Sequence, residues 1–184
     1  MHFPFRFSRV RLLLFGTALL VQMISAFPTI GLPLLRDQVP MNYTQIGLLF
    51  SVGALSSMVL EPLVNLLSDL TASKKYWAIS ALVVLAISFL LAGLAHHFTL
   101  LLLSFALLYP ANDIADGVIQ TSLIDDHPRK STRTLTRLAY FGNMGDFLAP
   151  ASIAIIAFLA LGWFTLCWLA SAIWLCVVGI MLFQ

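Results

Sequence analysis

Apolar residues run through this chain in six long blocks, separated by short clusters of breaking and charged residues. Reading the runs against those breakers predicts helical spans over 12–33, 44–67, 76–95, 99–124, 134–159 and 163–182. Each is near the ~20 residues a helix needs to cross a hydrocarbon core about 30 Å thick. The expected fold class is therefore all-α, a polytopic membrane protein whose six transmembrane helices form one domain over residues 1–184. Arg6, Arg9 and Arg11 ahead of the first run mimic a signal peptide, but no A-x-A cleavage pattern precedes Pro28, so a retained first helix is expected.

Breakers and charges divide the six spans into two kinds. The third and sixth contain no Pro, Asp, Glu, Lys or Arg, whereas Pro28 and Pro33, Pro62, Pro110 and Pro150 interrupt the first, second, fourth and fifth. Proline lacks an N–H and frees the carbonyl four residues earlier, which in lipid is tolerated only against protein or a wet cavity. The four interrupted spans are expected to surround something polar. Glu61 falls in the second, Asp113 and Asp116 in the fourth, and Arg137 and Asp146 in the fifth. A charge at the bilayer centre costs about 2.5 to 3.5 kcal/mol, so these groups need partners or water.

Tyr109, Asp113, Asp116 and Gln120 recur at helical spacing and gather within roughly a 60° arc. By helical rise, Asp113 is about 20 Å from one end of its span and Asp146 about 18 Å from an end of the next, so both approach mid-membrane and are expected to face one cavity. The fifth span presents Thr136, Tyr140, Asn143 and Asp146 on a broader face, with Arg137 at its flank as a cation for Asp116 or Glu61. Pro150 frees the carbonyl of Asp146, placing a backbone acceptor and a carboxylate at one residue, which suits a cation or proton. Ser57, Glu61, Asn65 and Ser68 form a second stripe, for which a structural hydrogen bond or ion pair weighs evenly with a transport role. Arg137, about one turn inside its span, can snorkel.

Composition agrees with this picture: 60% of residues are hydrophobic, 10% are charged and the mean hydropathy is +0.97. Six crossings leave no room for a soluble domain. The net charge of +2 is dispersed, which argues against a nucleic-acid partner. Its distribution is more telling. Arg6, Arg9 and Arg11, then Lys74 and Lys75, then Arg129, Lys130 and Arg133 all fall on one side, against Arg36 alone on the other. The positive-inside rule then puts both termini in the cytoplasm, with the plasma (inner) membrane as the expected location. Cys167 and Cys176 fall on opposite helix faces and read as packing residues. His96 and His97 lack a third ligand nearby and read as an interfacial cap, and Trp77 and Trp163 mark span ends. No cofactor or metal is expected.

The pattern resembles the amino-terminal half of the major facilitator superfamily, whose six helices form an inverted three-plus-three repeat with the third and sixth outermost. Asn65, Leu66, Leu67, Ser68, Asp69, Leu70, Thr71, Ala72, Ser73, Lys74 and Lys75 are similar to the family's signature between helices two and three. Leu67, Ser68, Asp69 and Lys74 fit it, while Asn65 and Ala72 replace its two glycines and Ser73 a basic residue. Gly145, Ala149 and Pro150 partly resemble a helix-five motif of proton-coupled exporters. The resemblance implies alternating access around a central cavity, with Asp69, Lys74 and Lys75 in gating. It also implies a second six-helix half, either as a further segment or as a homodimer partner.

The function expected on these grounds is secondary, proton-coupled transport of a small solute, with Asp113, Asp116 and Asp146 on the substrate or proton path. Tyr109, Gln120, Asn143, Arg137 and Glu61 stand around them. A scaffold or a truncated fragment is one alternative. An intramembrane aspartyl protease is another, although Asn143 stands where that family has glycine and Asn112, not tyrosine, precedes Asp113. The chain is not expected to be an enzyme.

Overall fold

A computed structural model of the chain describes residues 9–71, 74–125 and 131–183, with backbone alone for 9–11. Arg6, Arg129 and Lys130 of the basic clusters, and Ala72 and Ser73 of the loop signature, lie outside the described residues. Among those described there are helices and no strand: α1 (Arg9–Ser25), α2 (Phe27–Ile30), α3 (Leu32–Gln38), α4 (Tyr43–Leu70), α5 (Lys74–Gly93), α6 (Phe98–Asp125), α7 (Ser131–Phe158) and α8 (Trp163–Leu182). Six stretches are long and apolar enough to cross a membrane: Leu12–Ile30 and the five helices α4 to α8. The chain is an α-helical, multi-pass membrane protein.

The first predicted span is the one the structure divides. Pro28 and Pro33 each occupy the first turn of a short helix, α2 and α3. In a first turn the missing N–H has no helical acceptor to lose, so proline restarts a helix there where an interior position would kink it. Pro62, Pro110 and Pro150 are interior to α4, α6 and α7. The start of α4 is fixed by a capping box: Asn42 Oδ1 accepts from the Gln45 amide at 2.8 Å, and Gln45 Oε1 accepts from the Asn42 amide at 3.0 Å. After α7 the Leu161 amide donates to the Ile156 carbonyl and the Ala160 amide to that of Ala157, both at 3.0 Å, closing the helix with Ala160 at φ 54°. That left-handed position usually takes glycine.

Packing pairs α4 with α6, α5 with α6 and α8, and α1 with α7. Small residues set the crossings, because helices in lipid associate by close packing rather than by the hydrophobic effect. A Cβ on Gly145 would lie 2.9 Å from the Met23 amide nitrogen and closer still to the Leu19 carbonyl, so α7 rests directly on the α1 backbone. Gly53 of α4 faces the Tyr109 ring of α6, and a Cβ on Gly117 of α6 would lie 3.1 Å from Asn65 Nδ2 of α4. Between α5 and α8, Gly93 lies under Trp168, and Ser171 Oγ donates to the Ala86 carbonyl at 2.8 Å. Outside the spans, Gln38 Oε1 caps α8 by accepting from the Phe164 amide at 3.0 Å, its amide lying across Gly162, where any side chain would collide.

The plain third span proves the best covered, with the fourth and sixth next. Half (50%) of the most apolar stretch of α5 and 44% of those of α6 and α8 is buried within the protein, against 17% for α4 and 22% for α7. The small faces of α5 and α8 (Ala78, Ala81, Ala86 and Ala92; Ala170 and Ser171) allow this. The proline-interrupted, charge-bearing α4 and α7 are the least covered spans.

Candidate functional site

Each interior proline releases one carbonyl, and the structure shows where one of these finds a donor. Pro110 leaves the Ala106 carbonyl of α6 without its helical N–H; Ser56 Oγ, on α4, lies 2.9 Å from that carbonyl and 2.8 Å from Gly53 O, sharing its proton between them. One residue on, Ser57 donates to the Asp113 carboxylate. Asn65 Nδ2 makes a long 3.5 Å contact to Glu61 Oε1, and Ser68 Oγ donates to the Asn65 carbonyl at 2.8 Å. The Ser57 to Ser68 stripe thus forms the α4 side of the contact with α6. Glu61 is close enough to Asp113 and Asp116 for the three charges to interact.

The polar stripe of α6 does not act as one face. Tyr109 packs against Gly53, its hydroxyl beside Thr29, and Asp113 turns to α4. Asp116, about 60° further round α6, and Gln120 line a cavity of about 420 Å³ between α1, α6 and α7. There α1 contributes Ala18 and Gln22, and α7 contributes Leu135, Leu138, Ala139, Gly142, Asn143 and Asp146. The acid that shares a cavity with Asp146 is therefore Asp116; the pairing of Asp113 with Asp146 anticipated from depth alone is replaced, because three residues along a helix turn a side chain by about 60°. Asp146 stands 15 residues after the start of α7, about 22 Å by helical rise and near the middle of the helix.

Charge in this cavity is one-sided. Gln120 Nε2 donates to Asp116 Oδ2 at 2.7 Å, which leaves the Gln120 carbonyl oxygen as an acceptor. Among the described residues, Asp146 and Asn143 have no hydrogen-bond or ion-pair partner and both are exposed. The charged residues lining the cavity are Asp116 and Asp146; Arg137 is half-buried on α7, about 13 Å by helical rise toward the end that carries Arg133. The carbonyl released by Pro150 is that of Asp146 itself.

At the end of the molecule carrying Lys74, the loop signature forms a three-helix tie. Lys74 Nζ lies 3.2 Å from Asp69 Oδ1 at the end of α4 and 2.6 Å from Asp125 Oδ2 at the end of α6. Trp77 Nε1 donates to Thr71 Oγ1 at 2.7 Å, and Lys75 is exposed. Asp125 escaped the sequence reading; its place just past the predicted fourth span (99–124), at the same end as Lys74, was the available signal. Gln22 and Leu138 were missed as cavity residues, since only the α1 to α7 crossing places them there. No three His, Cys, Asp or Glu side chains group as metal ligands among the described residues. In comparison with known proteins, no family model and no curated protein matches the chain.

Proposed function

We propose that the protein carries a small solute across the membrane by alternating access, coupled to protons, as one half of a transporter of the major facilitator type. The observation that carries this reading is the cavity between α1, α6 and α7, which holds two carboxylates from different helices deep within the spans. Soluble-side pockets need no such expense; acids at this depth are costly unless a polar substrate or proton uses them.

Three further features support it. The second span packs on the fourth and the fifth on the first, while the third and sixth pack on each other; these three contacts are the ones an inverted repeat would pair, although the contact of the third span with the fourth has no matching contact of the sixth with the first. The helices α4 and α7 are the least covered spans, and a second six-helix unit, a further segment or another copy, would cover them and close the cavity beside α7. Lys74, Asp69 and Asp125 stand where a latch between conformations would act. In this reading the termini and the Lys74 end are cytoplasmic and the membrane is the plasma (inner) membrane.

The α4 to α6 contact favours a second, structural role for part of the site. Ser57 on Asp113 and Asn65 on Glu61 satisfy one another between helices, as a scaffold needs. The pathway proper is then assigned to Asp116 and Asp146, with Asp113 and Glu61 supporting α6. Asp113, held by Ser57 of α4, is not among the residues lining the cavity of Asp146, which speaks against their sharing a proton as a protease dyad. In proteoliposomes, Asp116→Asn and Asp146→Asn should each abolish solute uptake and its response to an imposed pH gradient. Uptake with unchanged pH dependence in both variants would sink the assignment.

A further inference from the structure

The acids within the spans are not equivalent. Asp113 has Ser57, Asp116 has Gln120 and Glu61 has Asn65, whereas Asp146 has no donor among the described residues. Asn143, one turn earlier on the same face of α7, is likewise unpartnered, and Pro150 withdraws the helical donor from the Asp146 carbonyl. The cavity in front of them is lined by three amides, Gln22, Gln120 and Asn143, which can donate as well as accept, and by two carboxylates, Asp116 and Asp146, of which Asp116 already takes an N–H from Gln120. Such a lining carries negative charge with no cation among its residues.

Its complement is a positively charged donor. An anion would meet two carboxylates, and a neutral polyol would leave the charge of Asp146 uncompensated. A bare metal ion is the wrong size, since it needs oxygens closed around it at about 2.3–2.6 Å, and about 420 Å³ lies in the range of small-molecule pockets. The remaining walls, including Ala18, Leu135 and Leu138, are apolar.

We propose that this cavity binds an organic cation, an ammonium or amidinium on an apolar body. Asp146 is its counter-ion, Asn143 and Asp116 take its N–H groups, and α1 and the Leu135 to Ala139 turn of α7 hold the body. The inference rests on the transport reading of the same cavity for its substrate class, but it is a statement about binding and is tested as one.

The full chain in lipid nanodiscs is titrated with naphthylmethylammonium, naphthylmethanol and naphthoate, which share one body and differ in charge, with empty nanodiscs subtracted. Saturable binding of the ammonium, at least tenfold tighter than the alcohol and without measurable naphthoate binding, is the expected result. Asp146→Asn should weaken the ammonium at least tenfold and Asp146→Glu should restore most of the affinity. Equal affinity for all three probes, or full ammonium affinity in Asp146→Asn, overturns the proposal. So does a site that takes up protons around Asp146 but binds no ammonium. Should Asp146→Asn not fold, the probe series on the unaltered chain and on Asp146→Glu still decides. Ammonium binding without transport in vesicles would remove the transport reading and leave this one standing. Asp146-dependent uptake of a solute without ammonium binding would do the reverse.

Discussion

Ser56 shows what a single hydroxyl does in a dry interface. With Pro110 unable to donate, the Ala106 carbonyl depends on Ser56 Oγ from the neighbouring helix. Ser56→Ala should therefore cost about 1 kcal/mol, the usual net value of one hydrogen bond, and lower the melting temperature in detergent. Made on a Pro110→Ala background, where the helix regains its own donor, the same change should be nearly silent; an equal loss on both backgrounds would refute the pairing. The sequence announced that a carbonyl near Pro110 needs a donor, because proline chemistry is local. It could not name Ser56, which stands one position off the Ser57, Glu61, Asn65 and Ser68 stripe and becomes a partner only through the α4 to α6 crossing. The same limit explains Asp113 and Asp116: depth and helical phase were legible, but which neighbour each faces was not.

At the scale of helices, span positions followed from hydropathy to within a few residues, and the exception is instructive. Pro28 and Pro33 read as interior breaks because hydropathy does not mark where a helix restarts, whereas α2 and α3 each use a proline in the first turn. Burial was less legible. Freedom from charge marked the third and sixth spans as the outer ones in the resemblance, but it did not show that their small residues pack α5 and α8 on each other. Helix crossings carry a direct test. Gly145→Leu must push α7 off the Leu19 and Met23 backbone, and the folded yield in detergent should fall steeply. Gly16→Leu, at a glycine on α1 where an added Cβ would meet nothing within 4 Å, should fold normally. Comparable losses from both would mean that the crossing does not depend on Gly145.

Across the whole molecule, charge is spent in two ways: partnered at the Lys74 end and left open in the cavity. The Lys74 pairs are solvent-exposed on their acidic side, and exposed pairs contribute about 0.2–1 kcal/mol each, less in salt. Lys74→Ala should therefore shift the melting temperature by no more than a few degrees while slowing solute uptake several-fold, as a latch would. A large thermal loss with unchanged uptake would make the tie purely structural. The site was half visible beforehand: Asp116, Gln120, Asn143 and Asp146 stand out because polar groups are rare in apolar runs, but Gln22 and Asp125 acquire meaning only when distant helices meet. That meeting of α1 with α7 also bears on how the chain is made. α7 is the least apolar of the six spans, and the backbone it needs at Leu19 and Met23 is made well before it. At about 5–20 residues per second, synthesis takes roughly 6–25 s to travel from Leu19 to Gly145. Throughout that interval α1 must wait in the bilayer with its packing face unoccupied, a window in which an insertion chaperone has something to hold.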